Sequence, residues 1–121
     1  MTLLLFFPGG PNLIAPVLTV QAASGLGLIT ATGNGTITDD GGVACTIRGF
    51  QYNTVEYPNF DVNETGSFNE GAFSLTLVGL TPGQTYYYRA YATNTVGTGY
   101  SGWLSFIATA PTYNVTIGGI N

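Results

Sequence analysis

Six carboxylates, one cysteine and two arginines make up most of the reactive side chains in this 121-residue sequence. The carboxylates are Asp39, Asp40, Glu56, Asp61, Glu64 and Glu70; the others are Cys45, Arg48 and Arg89. Two carboxylates can hydrolyse a glycosidic bond. Four of the six fall between residues 56 and 70, where loop oxygens could also hold a calcium ion. Their spacing matches no calcium-loop pattern, and solvated loop charges are the plainer reading. There is no His and no Lys, which removes the usual general base and the commonest metal ligand. Cys45 has no histidine to activate it. No Gly-x-Ser-x-Gly elbow and no phosphate-cradling loop with Lys occurs. The expectation is a protein that is not an enzyme and needs no metal or cofactor.

A lone cysteine cannot close an intrachain disulfide, and Cys45 sits in a strand pattern where a buried small hydrophobe fits best. The net charge is -4. Nucleic-acid binding needs several basic side chains to displace counterions, and anionic membranes need the same, so neither partner is expected. Hydrophobic residues make up 45% of the chain and charged ones only 7%, against about a quarter charged in ordinary soluble domains. The length suits one domain. Its surface must be built from Thr, Ser, Asn, Gly and Tyr, a texture suited to standing against other proteins or in an extracellular medium.

Positioning falls to strands. From Pro16 onward, short Thr-, Val-, Tyr- and Phe-rich runs alternate with Gly, Asn and Asp clusters, the rhythm of a sandwich or barrel. The first run is Val17–Val20. The second, Leu28–Thr38, puts Ile29, Ala31, Gly33, Gly35 and Ile37 on one side. Asp39-Asp40-Gly41-Gly42 makes a turn, and Cys45–Tyr52 is a third strand. Residues 53–71 read as loops around at most one weak edge strand. Phe73, Leu75 and Leu77 alternate into the core. Tyr86, Tyr88, Ala90 and Ala92 share one face of the next strand, with Tyr87, Arg89 and Tyr91 on the other. Gly97–Gly99 turns the chain, and Trp103–Ala108 is the last strand, with Leu104 and Phe106 inward.

The segment Leu80-Thr81-Pro82-Gly83-Gln84-Thr85-Tyr86 through Asn94 resembles the E–F corner and F strand of a fibronectin type III domain. Asp40-Gly41-Gly42 with Arg48-Gly49-Phe50 is similar to the B–C turn and C strand of bacterial and phage members. Asn94–Gly99 and Leu104-Ser105-Phe106 resemble the F–G loop and G strand. The resemblance spans residues 16–109. It implies an all-β, fibronectin type III or immunoglobulin-like antiparallel β-sandwich of seven strands, with the Tyr86 hydroxyl bonded back to the turn as a tyrosine corner. Many family members carry a core Trp in strand B. Here that strand offers Ile29, Ala31 and glycines, so Phe50, Phe73, Tyr88 and Phe106 are expected to fill the centre.

Residues 1–15 read as an extended apolar arm. The run Leu3, Leu4, Leu5, Phe6, Phe7 is shorter than the core of a signal peptide, lacks a basic start and is followed by no A-x-A-like site. It is far too short to span a bilayer. Its opening is similar to the starts of small phage structural proteins. Residues 110–121 form a tail in which Tyr113, Val115 and Ile117 alternate. The expected contact residues are therefore the arm's Leu3, Leu4, Leu5, Phe6 and Phe7, with the outer-face aromatics Tyr87, Tyr91 and Trp103, a type enriched at interfaces. Together these features predict a virion structural protein, a phage capsid decoration (cement) protein attached to major capsid or other virion subunits, or to copies of itself. The alternative is an extracellular or cell-surface bacterial module for adhesion or carbohydrate binding.

Overall fold

Period-two patterning, cut at intervals by Gly, Asn and Asp, produces eight strands in the computed structural model, which describes residues 12–112. They are β1 (Val17–Ser24), β2 (Ala31–Asp39), β3 (Cys45–Asn53), β4 (Phe60–Phe68), β5 (Gly71–Leu77), β6 (Thr85–Thr93), β7 (Thr98–Tyr100) and β8 (Leu104–Ile107). A three-stranded sheet in the order β1-β2-β5 faces a five-stranded sheet in the order β4-β3-β6-β7, with β8 also paired to β6. Every pairing is antiparallel. The chain is all-β, an immunoglobulin-like antiparallel sandwich.

The core is aromatic. Phe50 packs against Phe73 and Tyr88 at centroid separations of 5.0 and 5.7 Å, and Tyr88 meets Phe106 edge-on at 5.6 Å. The two glycines of β2 make this possible. A Cβ at Gly33 would stand 3.2 Å from the Phe50 ring, and one at Gly35 would stand 2.9 Å from the Ala90 Cβ. The ring from β3 thus occupies the space that side chains on β2 would need. Tyr88 is wholly buried, and its hydroxyl donates to the Gln21 carbonyl, beside the register shift between β1 and β2. Burial pushes the Tyr88 phenol up.

The corner forms as expected: Tyr86 accepts a hydrogen bond from the Thr81 N–H at 2.8 Å. Tyr52 adds a second brace that sequence alone does not suggest. Its hydroxyl donates to the Val78 carbonyl at 2.8 Å and accepts from the Val78 N–H at 3.1 Å. Two tyrosines on neighbouring strands thereby fix the connection between β5 and β6.

Five expectations need correction. Residues 53–71 hold a full nine-residue strand, β4, in which Phe60, Val62 and Glu64 stand opposite Tyr52, Phe50 and Arg48 of β3, with an ion pair where an apolar contact is expected. Glu64 meets Arg48 at 2.7 Å, and the Arg48 guanidinium lies 3.9 Å from the centre of the Phe68 ring. Ile29 precedes β2 and is exposed rather than buried. The turn after β6 runs Asn94–Gly97, closed by Asn94 N–H to Gly97 carbonyl at 3.0 Å, so Thr98–Tyr100 is strand. β7 is an added strand, separated from β8 by a break over residues 101–103, which makes eight strands among the described residues and not seven. At the break, the buried Ser101 hydroxyl accepts the Ala90 N–H at 2.8 Å and donates to the Gly102 carbonyl at 2.8 Å. Trp103 sits in that break, and Leu104, at the sandwich margin, is exposed instead of inward.

Candidate partner-binding face

Antiparallel registry sets out the outer face of the larger sheet row by row. Tyr87 stands between Asn53 of β3 and Ser105 of β8. Arg89 stands beside Gln51, which is opposite Asp61 of β4. Tyr91 stands between Gly49 and Tyr100, and Gly49 is opposite Asn63. Side chains at alternate positions of β6 therefore reach neighbours from β3, β4, β7 and the break before β8.

Tyr91 faces outward as its alternation predicts, yet it is only 7% exposed, so it is not the open contact residue the sequence suggests. Its neighbour Gly49 has no side chain, and a Cβ there would run into the Val62 carbonyl and Asn63. The missing side chain lets β4 close on β3 there, within reach of the Tyr91 hydroxyl. Its hydroxyl donates to Asp61 Oδ1 at 2.8 Å, and Asn63 Nδ2 donates to the same oxygen at 2.7 Å. Tyr100 flanks it on the other side at a centroid distance of 6.1 Å. Burial, then the bond to the Asp61 carboxylate, holds the Tyr91 phenol well above the ordinary tyrosine range.

Arg89 is the residue that sequence reasoning passed over. Its guanidinium lies 4.0 Å from the centre of the Tyr100 ring and 4.7 Å from that of Trp103. Its Nε donates to Gln51 Oε1 at 3.0 Å. Cation–π stacking on a sheet face contributes on the order of 0.5–1 kcal/mol per ring. The signal was present: Arg89 lies midway between Tyr87 and Tyr91 on the same face. Tyr87 and Trp103 are half-buried and Tyr100 is exposed. The result is a face whose aromatic and cationic groups are already held by one another.

The acidic residues do not gather as the sequence suggests. Asp61 and Glu64 serve as struts within β4, while Glu70 meets Asp39 and Asp40, their ligand atoms within 4.8 Å of one another. The three carboxylates accept backbone N–H groups of the turn: Gly41 to Asp39 at 2.8 Å, Gly42 to Asp40 at 2.9 Å and Asp40 to Glu70 at 3.1 Å. Cys45 is buried, and burial, then the nearby Asp40 and Glu70, pushes its thiol up, away from the reactive thiolate. The arm residues Leu3, Leu4, Leu5, Phe6 and Phe7, and the tail residues Tyr113, Val115 and Ile117, lie outside the described residues.

No protein-family model matches the chain, and no curated protein matches it in sequence. Solved structures do resemble it. A long form of the sensor domain of the anti-sigma factor RsgI4 from Pseudobacteroides cellulosolvens superposes with a TM-score of 0.62 at 19% identity, covering 84% of this chain and 96% of that one. A shorter form gives 0.63 at 17% identity, covering 81% and 98%. A structure described as a myokine gives 0.56 at 20% identity, covering 84% and 100%. At such identities the likeness is one of fold: the chain shares its β-sandwich with these proteins.

Proposed function

We propose that this chain is a non-catalytic contact module of a virion, a capsid decoration (cement) protein or comparable accessory part, attached to capsid or other virion subunits through its apolar arm. The observation that carries this reading is the apolar character of one end of the sandwich. The connections β1–β2, β3–β4 and β5–β6 all lie at that end, and they expose Leu26, Leu28, Ile29, Val55, Tyr57 and Val78. Apolar side chains gathered on loops in a chain with so few charges suit a domain surrounded by neighbours more than one alone in water. The kinship with fibronectin type III domains of bacterial and phage structural proteins is supported by the Tyr86 corner bond and by the division into β1-β2-β5 and the larger sheet. The rarity of basic residues supports protein, and neither nucleic acid nor membrane, as the partner.

A second reading, an extracellular or cell-surface module for adhesion or carbohydrate binding, is favoured by the Tyr100–Arg89–Trp103 stack. Aromatic side chains already held by their own neighbours can stack on a sugar ring at little ordering cost. One experiment separates the two. Chain lacking residues 2–7 and a Trp103→Ala variant are each tested for co-sedimentation with virion particles and for retention on immobilised glycans. The virion reading expects particle binding that is lost with the arm and survives W103A. Particle binding undiminished by the deletion sinks it, and glycan retention lost in W103A establishes the second reading.

A further inference from the structure

Each sheet of an open sandwich ends in strands with unpaired N–H and C=O groups, which natural proteins ordinarily protect by bulges, charges, prolines or brevity. Three of the four edges here are protected. β1 carries register shifts at Val17/Leu18 and Gln21/Ser24. β4 carries Asp61 and Glu64, and its pairing shifts between Cys45 and Ile47. β7 and β8 are short pieces of 3 and 4 residues with a break between them. β5 has none of these devices. Its sequence GAFSLTL lacks charge and proline, and all seven residues pair with β2 in unbroken register. Its far side is unpaired among the described residues.

We propose that this open side of β5 accepts a strand from a second copy of the same chain, supplied by residues 113–117 of its tail. Tyr113-Asn114-Val115-Thr116-Ile117 alternates apolar and polar as β5 itself does, with Phe73, Leu75 and Leu77 toward the core and Ala72, Ser74 and Thr76 outward. Neither strand carries a charge that would oppose pairing. Strand addition of this kind draws its affinity from main-chain hydrogen bonds and its register from the alternating side chains.

Reach keeps the chain's own Tyr113 out of that slot, so residues 113–117 meet it in this register from a second copy. The chain leaves the domain beside the β1–β2 connection, where Thr109 donates its N–H to the Gly27 carbonyl at 2.9 Å and its hydroxyl to the Leu26 carbonyl at 3.1 Å. That exit is on the β8 side, and β8 packs against β1. The slot beyond β5 lies three strand spacings along and one sheet separation across, about 17 Å away in a straight line. From Thr109 to Tyr113 an extended chain covers at most about 14 Å, and it must also round the loops at that end. In a neighbouring copy no such limit applies.

The proposal goes beyond the virion reading, since it is tested on free protein without particles. Sedimentation velocity of the full chain should show concentration-dependent association. Deleting residues 112–121 should leave a monomer with an unchanged melting temperature. Val115→Pro, which removes a donor from the tail and leaves the described fold untouched, should weaken association at least tenfold. A synthetic peptide of residues 111–121 should bind the tail-deleted chain and slow amide exchange in residues 71–77, and Thr76→Lys should weaken that binding. A full chain that stays monomeric into the millimolar range overturns the proposal. So does association that survives the tail deletion, or exchange protection of residues 71–77 that is independent of concentration, which would place the tail in its own domain.

Discussion

The two outer faces of the sandwich share one backbone geometry and carry opposite chemistries. On the three-stranded sheet, hydroxyls and carboxamides bond to one another. Asn34 Nδ2 donates to the Ala22 carbonyl and the Ser24 hydroxyl at 2.9 Å each, and Ser74 donates to Asn34 Oδ1 at 2.6 Å. Thr36 donates to Gln21 Oε1 at 3.0 Å, and Gln21 in turn to the Thr19 hydroxyl at 2.9 Å. On the five-stranded sheet, rings and a guanidinium stack. Both faces are self-braced, but the difference matters for recognition. A donor that already holds its acceptor must break a bond to serve a partner, whereas a stacked ring keeps its edge or second face free. The larger sheet is therefore the face that can bind without loss to the fold.

The comparison is broken most severely from beneath. Phe50→Ala removes the ring that fills the space over Gly33 and Gly35, and it should cost about 3–5 kcal/mol in urea melts. Both faces should then be lost in a single transition. A cost under about 1 kcal/mol would mean the sheets do not depend on a common core.

Asn34→Ala should cost about 1–2 kcal/mol, the net value of a few exposed hydrogen bonds, and leave partner binding unchanged. Arg89→Ala should cost less, on the order of 1 kcal/mol. If the second reading holds, the same change should weaken ligand retention severalfold. Equal effects of the two variants on binding would erase the distinction between the faces.

Alkaline pH sharpens it further. Tyr52, Tyr88 and Tyr91 are all held above the ordinary value, each chiefly by burial. An unfolded chain releases these protons near pH 10, while the folded one keeps them. Above that pH the unfolded state binds fewer protons, so stability present below pH 10 falls as pH rises through the folded values. Cys45 adds the same sign from about pH 9. Tyr91→Phe should reduce the slope of stability against pH above 10, and an unchanged slope would remove Tyr91 from the account. The smallest effect expected is that of a strong chelator, which should leave the melting temperature unchanged. A drop of several degrees would revive a cation at Asp39, Asp40 and Glu70.

Much of this was legible in the sequence. Alternation placed Tyr86, Tyr88, Ala90 and Ala92 inward, and the Pro-Gly turn before Tyr86 announced the corner. What alternation cannot show is what covers an outward residue. Tyr91 is buried by Asp61, Asn63 and Tyr100, which lie on other strands. β4 was obscured for a related reason: Glu64 takes an inward register because Arg48, sixteen residues away, neutralises it. The break at Ser101 was hidden because a serine hydroxyl stands in there for the ladder acceptor, and the lone Gly102 beside it reads as one more strand glycine. Arg89 was overlooked because its partners Tyr100 and Trp103 follow a turn and a break that period-two reading joins incorrectly.

Asn94 has a mechanical consequence. Its amide nitrogen donates to the Ile14 carbonyl at 2.7 Å and the Asp40 carbonyl at 2.9 Å, and its oxygen accepts the Val96 N–H at 2.8 Å. Ile14 also donates its N–H to the Gly41 carbonyl at 3.0 Å. The chain enters the sandwich at this lock and leaves at the opposite end, past Thr109. A pull applied to the chain at these two points is therefore directed along the strands. The lock at Ile14 is loaded first, and behind it the ladder between β1 and β2 shares the load across many bonds at once, where a hairpin peeled from its end would yield them one by one. An Asn94→Ala chain should lose the first resistance to such a pull and keep the second.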